Sequence, residues 1–230
     1  MAKKGKLIVI DGTDGSGKAT QTKLLAEHLK ADGKKVKVVD FPEYYENFFG
    51  KFIGHCLSEQ YYNFIKVHPK IVSVLYAADR FESSEKIKTW LKEGNIVIAN
   101  RYASANQIHQ GGKIANNKKR EAFLEWLATM EYEVFKIPKP DAVFYLSVPL
   151  NIALKLMHNR NKTAERKYLG NKKDVHEKDK MFLANSVKTA LWLSKIEKNW
   201  IKIECIKNNF LETPQNIHAD IYSKVKKILK

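Results

Sequence analysis

Cysteine is nearly absent from this chain. Cys56 and Cys205 are the two in 230 residues, they stand far apart, and neither belongs to a metal-ligand pattern, so both read as core packing in a reduced, cytoplasmic compartment. Long apolar runs are missing as well. Nothing approaches a membrane span, and the stretch after Met1-Ala2-Lys3-Lys4-Gly5-Lys6 is too short for the hydrophobic region of a secretory signal. There is no internal repeat and no low-complexity tract. Acidic residues are few: 25 Asp and Glu face 41 Lys and Arg, a net charge of +16 and a pI near 9.6. Such an excess suits a nucleic-acid or membrane-surface binder, and equally an enzyme whose two substrates both carry phosphate. No RNA-binding aromatic motif or zinc spacing accompanies it. The densest basic groups, such as Lys34-Lys35 and Lys118-Lys119-Arg120, are short enough to be solvated surface, so nucleic acid is not an expected partner.

Apolar residues are plentiful, at 44% of the chain, and spread throughout, which predicts one compact domain over 1–230. β-Branched runs recur at Lys6–Asp11, Val36–Phe41, Asn95–Ala99, Ala142–Val148 and Trp200–Cys205, separated by segments of helical period. An alternating β/α chain of this kind predicts an α/β fold: a doubly wound, parallel sheet of about five strands with helices on both faces. Ligands of such sheets sit at the carboxyl ends of the strands. The one shift in composition is 159–178, rich in charge and poor in apolar residues, which suits either a solvated loop or a moving cover.

Directly after the first strand comes Gly12-Thr13-Asp14-Gly15-Ser16-Gly17-Lys18-Ala19-Thr20, and a helical pattern follows. Glycines let backbone N–H groups turn in around an anion, the helix adds the positive end of its dipole, and a lysine in this place reaches β- and γ-phosphates. The alternative is a glycine-rich turn without a ligand. Ala19 stands where the motif wants a hydroxyl to bind Mg²⁺, with Thr20 one place late.

Three other groups point to the same end of the sheet. Phe41-Pro42-Glu43-Tyr44 leaves the second strand, as a rigid exit or as a wall of a substrate pocket. On the helix Ile71–Phe81, the residues Ile71, Val74, Leu75 and Ala78 make a predicted core stripe, while Tyr76 and Arg80 share a neighbouring face. That pair has the chemistry to stack on a nucleobase and to donate to its carbonyl, or it is an interior tyrosine beside a surface arginine. Arg101 leaves the third strand where a phosphate would lie. A buried arginine there is costly without an anion, either a phosphate or an internal carboxylate. Tyr102, Asn106 and His109 then follow on one polar face suited to a sugar and base; His109 taken alone is equally a packed histidine.

Taken together these residues resemble the thymidylate kinase family of P-loop nucleoside monophosphate kinases. The likeness covers essentially the whole chain: the phosphate loop with Asp14, Phe41-Pro42 with Tyr44, Asp79-Arg80, Arg101-Tyr102 with Asn106 and Gln110-Gly111, Pro138-Lys139-Pro140-Asp141 before the fourth strand, and Asp174, His176 and Glu177. The resemblance implies transfer of the γ-phosphate of ATP to dTMP, giving dTDP in dTTP synthesis. It implies that Lys18 and Thr20 hold ATP phosphates, that Asp14 is the leading metal-side acid for Mg²⁺, and that Tyr76 stacks on thymine. Arg80 contacts a base carbonyl, Arg101 grips the acceptor phosphate, and Asn106 reads the base. Residues 159 to 178 become a lid whose Arg160, Lys162, Arg166 and Lys167 close over ATP. No Arg or Lys lies between Gly12 and Gly17, so the lid is the expected source of the transition-state cation. The family is usually homodimeric. The chain departs from the family pattern at Ala19 (commonly Ser or Thr), Asn100 (generally Asp) and His109 (usually aromatic). Two rivals remain: a deoxynucleoside kinase using a carboxylate base such as Glu43, and a catalytically silent nucleotide- or nucleic-acid-binding protein.

Overall fold

The computed structural model describes residues 4–163, Glu177 and 179–230, and its strands lie where the β-branched runs predict them. β1 (Lys6–Gly12), β2 (Val36–Asp40), β3 (Ile96–Asn100), β4 (Ala142–Ser147) and β5 (Trp200–Glu204) form one sheet in the order β2-β3-β1-β4-β5, all neighbours parallel. Between and after them run α1 (Lys18–Ala31), α2 (Phe48–Leu57), α3 (Pro69–Glu82), α4 (Ser84–Lys92), α5 (Ala103–Gly112), α6 (Asn117–Ala128), α7 (Leu150–Thr163), α8 (Lys180–Ile196) and α9 (Pro214–Leu229).

Two cores follow from the strand period, because successive side chains point to opposite faces. Leu7 and Val9 of β1 pack with Ile108 of α5, Phe123 of α6 and Leu193 of α8. Ile8 and Ile10 face the other way, onto Leu25 and Leu29 of α1 and Ile221 and Val225 of α9. Each fully buried Leu, Ile or Val contributes roughly 1.5–3 kcal/mol, so strands apolar on both faces are what this sandwich needs. Cys56 and Cys205 are both fully buried, as expected. Burial pushes their thiols up, to about 11 and about 12 respectively.

Three features depart from the sequence reading. The core stripe expected on α3 holds only in part: Ala78 is buried and Leu75 packs beside Val72, but Ile71 is 58% exposed and Val74 39% exposed, and Val72, Ser73, Ala77, Asp79 and Arg80 are buried with Ala78. Polar side chains took the inward face because partners wait there, which a hydrophobic period does not register. A small antiparallel ribbon, β6 (Ile206–Lys207) with β7 (Phe210–Leu211), follows β5; Asn208 and Asn209, both at positive φ, turn it. A π-helical turn, Thr129–Val134, continues α6. Of the segment expected to be a lid, 164–176 and 178 lie outside the described residues, and with them Arg166, Lys167, Asp174 and His176. For Arg160 and Lys162 only the backbone, as the end of α7, is described.

Candidate active site

The loop between β1 and α1 is shaped to hold an anion. Gly15 and Gly17 sit at φ 80° and 86°, a region L side chains avoid, and a Cβ on Gly15 would come within 2.4 Å of the Ala153 carbonyl oxygen of α7. The first turn of α1 has no acidic residue and no side-chain cap, leaving its N–H groups to a ligand. Lys18 is 5% exposed and folds back, its Nζ donating to the Gly12 and Thr13 carbonyls at 2.8 and 2.9 Å. The hydroxyls of Thr13, Ser16 and Thr22 are buried with no hydrogen-bond partner. Each such orphan costs about 1–3 kcal/mol until a ligand satisfies it. A cavity of about 390 Å³ lies over this loop, reaching from Gly15, Lys18 and Thr20 to Leu211, Pro214 and Ile217. Gln21 Nε2 ties α1 to the start of α9 by donating to the Pro214 carbonyl at 2.9 Å.

A second cavity, about 360 Å³, opens at the carboxyl ends of β2 and β3. Phe41, Pro42 and Tyr44 form one wall, Tyr76 and Arg80 of α3 another. The third comes from α5, through Asn106, His109 and Gln110. The two cavities share Ala19, Asn100 and Arg101. Whatever occupies one therefore meets whatever occupies the other beside Arg101. Asn100 Oδ1 is buried there without a partner.

Arg101 sits at φ 63°, with its N–H donating to Ile10 at 3.0 Å. A non-glycine residue in this region costs of order 1–3 kcal/mol, and the cost is met by aiming a guanidinium from a buried strand end into the shared wall. Burial opposes its charge, and Asp14 beside it more than restores it, so the guanidinium stays protonated. Asp14 pairs with Arg101 and stands 3.8 Å from Lys18 Nζ, holding the two cations of the shared wall close together.

Arg80 is not the surface residue of the alternative reading. It is 2% exposed and forms a two-pronged pair with Glu131, Nε donating to Oε2 at 2.9 Å and Nη2 donating to Oε1. Asn106 Nδ2 donates to the Ser73 carbonyl and to Glu131 Oε1, both at 3.1 Å. His109 bonds Ser186 of α8 at 3.1 Å and stacks on Phe182, so it both packs and lines the cavity. Glu43 accepts from Lys86 Nζ and Asn47 Nδ2 at 3.0 and 3.1 Å, and from Ser83.

Several groups escaped the sequence reading. Asp11 is fully buried, accepting from the Gly12 N–H at 2.8 Å and from Ser104 Oγ at 2.5 Å, and burial raises its pKa. Asp40 lines the second cavity beside Asn100 and Arg101, and loss of solvation raises it too. An acid at the carboxyl end of a strand that leads into the ligand-binding edge was a usable signal for both. Asp79 is raised to about 6 by burial while accepting from Asn47 Nδ2 and the Glu43 N–H at 3.0 and 3.2 Å. Glu131 carried no signal in the sequence, because nothing in its surroundings marks a charge that turns inward.

Comparison with known proteins accords with this arrangement. The family model for thymidylate kinase matches residues 10–217. The thymidylate kinase of Plasmodium falciparum is 32% identical over 228 residues, covering 98% of this chain and 92% of its own. That of Thermosipho africanus is 30% identical over 225 residues, covering 97% and 98%. Among solved structures, the fold is similar to the thymidylate kinase of Candida albicans, with a TM-score of 0.74, 21% identity, and coverage of 99% of this chain and 93% of that one.

Proposed function

The chain belongs to the thymidylate kinase family, and on that premise we propose how its residues divide the transfer of the γ-phosphate of ATP to dTMP, which gives dTDP. One observation carries the assignment: two cavities, one over a phosphate loop and one walled by aromatic and polar groups, meet at Arg101. ATP lies over the loop, its phosphates taken by N–H groups of the loop and of the first turn of α1, by Lys18 Nζ and by the Ser16 hydroxyl, which lines the cavity there. dTMP fills the second cavity with thymine against Tyr76 and its phosphate at Arg101. In-line transfer then needs no nucleophilic side chain, since the attacking group is a phosphate oxygen and catalysis is positioning and neutralisation of charge. Arg160 and Arg166 from the lid segment complete the cations.

Magnesium belongs to the proposal through the nucleotide. Ala19 has no hydroxyl to offer, and the described residues contain no cluster of three or more His, Cys, Asp or Glu able to hold a metal. The ion would therefore be held chiefly by phosphates and water, as Mg²⁺ commonly is. Asp14 inside the loop and the unpartnered Asn100 Oδ1 are the protein oxygens at hand; bound there, the ion would neutralise charge on the β- and γ-phosphates. Glu43 argues against a deoxynucleoside kinase, because its carboxylate is committed to Ser83, Asn47 and Lys86 and does not line the acceptor cavity.

The test is a coupled assay with ATP over a panel of nucleoside monophosphates, with and without Mg²⁺. Arg80 presents donors and suits the O4 carbonyl of thymine or uracil, whereas cytosine puts an amino group there. Donor against donor costs roughly 1–3 kcal/mol, about 10- to 200-fold in kcat/KM. The missing methyl of dUMP costs on the order of 1 kcal/mol. The expected order is therefore dTMP, then dUMP, with dCMP, dGMP and dAMP behind, and no turnover without the metal. Equal rates on dTMP and dCMP would remove thymine from the Arg80 wall.

We also propose a homodimer in the cytoplasm. The outward stripe of α3, Ile71, Val74 and Phe81, is apolar and 39–58% exposed, and a second copy of this chain is the partner that would cover it. No helix among the described residues is long and apolar enough to cross a membrane. Sedimentation should give twice the chain mass for the wild type and a monomer for Val74→Glu; a wild-type monomer would exclude the dimer.

A further inference from the structure

Glu131 is completely buried, does not line either cavity, and contacts both polar groups that face the base in the reading above. A carboxylate is the most expensive side chain to hide, and it persists only where charge and hydrogen bonds compensate it. Here it accepts from two nitrogens of Arg80 and from Asn106. The π-helical turn that holds it is the local irregularity of a helix otherwise in regular register; such turns re-aim side chains and cluster at functional sites.

The consequence lies in what each neighbour has left to offer. Asn106 spends its Nδ2 hydrogens on Ser73 and Glu131, so the group it has for the cavity is the carbonyl oxygen Oδ1. A flipped amide would set oxygen against two buried acceptors. Arg80 spends Nε and one Nη2 hydrogen on Glu131, which leaves Nη1 as a donor held in one plane. From this we infer that Glu131 is a specificity-determining positioning residue: by fixing Arg80 as donor and Asn106 as acceptor, it sets the pocket to take a pyrimidine with an acceptor at position 4 and an N–H at position 3. Thymine and uracil have that pattern. Cytosine reverses both positions, with an amino donor at 4 and an unprotonated N3. The inference rests on thymine occupying this cavity.

Glu131→Gln replaces one acceptor by an amide whose N–H₂ opposes that of Asn106. One relief is a flip of Asn106, which loses its bond to the Ser73 carbonyl but meets the new amide and turns a donor toward the base, suiting cytosine; the other, a glutamine oxygen kept toward Asn106, leaves its N–H₂ against Arg80 and displaces the guanidinium. The expected result is a fall of at least tenfold in the ratio of kcat/KM for dTMP over dCMP, through a raised KM for dTMP, while the KM for ATP stays within twofold. Glu131→Asp keeps the acceptors and should recover most of the ratio. A purely structural glutamate would lower Tm and slow both nucleotides alike with the ratio intact, and that outcome overturns the inference. If the wild type itself fails to discriminate, the base placement falls instead, so the two failures are distinguishable. Should neither variant fold, the wild type still decides: the side-chain amide hydrogens of Asn106 should exchange slowly in the free protein, and rapid exchange would overturn the lock.

Discussion

Lys18→Met is expected to lower kcat by about 10³-fold, the scale on which a single cation at a transferring phosphoryl group acts, with the KM for dTMP changed severalfold at most. The side chain is 5% exposed and already folded onto the loop carbonyls, so methionine removes the charge while keeping most of the volume. Charge develops on the phosphate oxygens during transfer, and a cation fixed in advance stabilises that state more than the bound substrate. On the proposed division of roles the lid cations serve the same oxygens, so Arg160→Ala and Arg166→Ala should each lower kcat far more than affinity for dTMP. Single-turnover kinetics with dTMP and ATP saturating isolates the chemical step. A Lys18→Met protein within tenfold of wild type would take Lys18 off the γ-phosphate; normal turnover of both lid variants would place the transition-state cation elsewhere.

Arg101→Met should cost about 10²–10³-fold in kcat/KM for dTMP, the range for losing charge-assisted bonds to a desolvated anion. Part of that loss is the Asp14 carboxylate deprived of its Arg101 contact, a less compensated negative charge near an incoming phosphate. The discriminating control is thymidine, which carries the same base without the phosphate. Its inhibition constant should change little, because Tyr76, Arg80 and Asn106 remain in place, so the gap between dTMP and thymidine in binding should close. If thymidine weakens as much as dTMP does, Arg101 holds the cavity wall and not the phosphate. If thymidine is itself phosphorylated by the wild type, the acceptor is a hydroxyl and the deoxynucleoside kinase reading returns.

What the sequence by itself determined is what local chemistry and strand period control. β-Branched runs place all five strands of the main sheet: β1, β3 and β4 are buried on both faces, and β2 and β5 at the edges keep enough of the same residues to be read. The phosphate loop is legible because its backbone needs glycine at 15 and 17 whatever surrounds it. Phe41, Tyr76, Arg101, Asn106 and Gln110, which the motifs singled out, line one cavity. Only the tertiary structure decided which way α3 faces. Its apolar residues Ile71 and Val74 suited a core, but Glu131, about fifty positions along the chain from Arg80, supplies the buried charge that accompanies the arginine inward and leaves Ile71 and Val74 outside. It decided likewise that Asp14 pairs with Arg101 across 87 positions, and that Glu43 turns to Ser83, Asn47 and Lys86 and not into the cavity. Ion pairs between distant segments leave no periodicity and no spacing to read. They depend on the sheet order β2-β3-β1-β4-β5, which brings the ends of β1, β2 and β3 together, and a polar residue's role is set by the partner that the fold delivers to it.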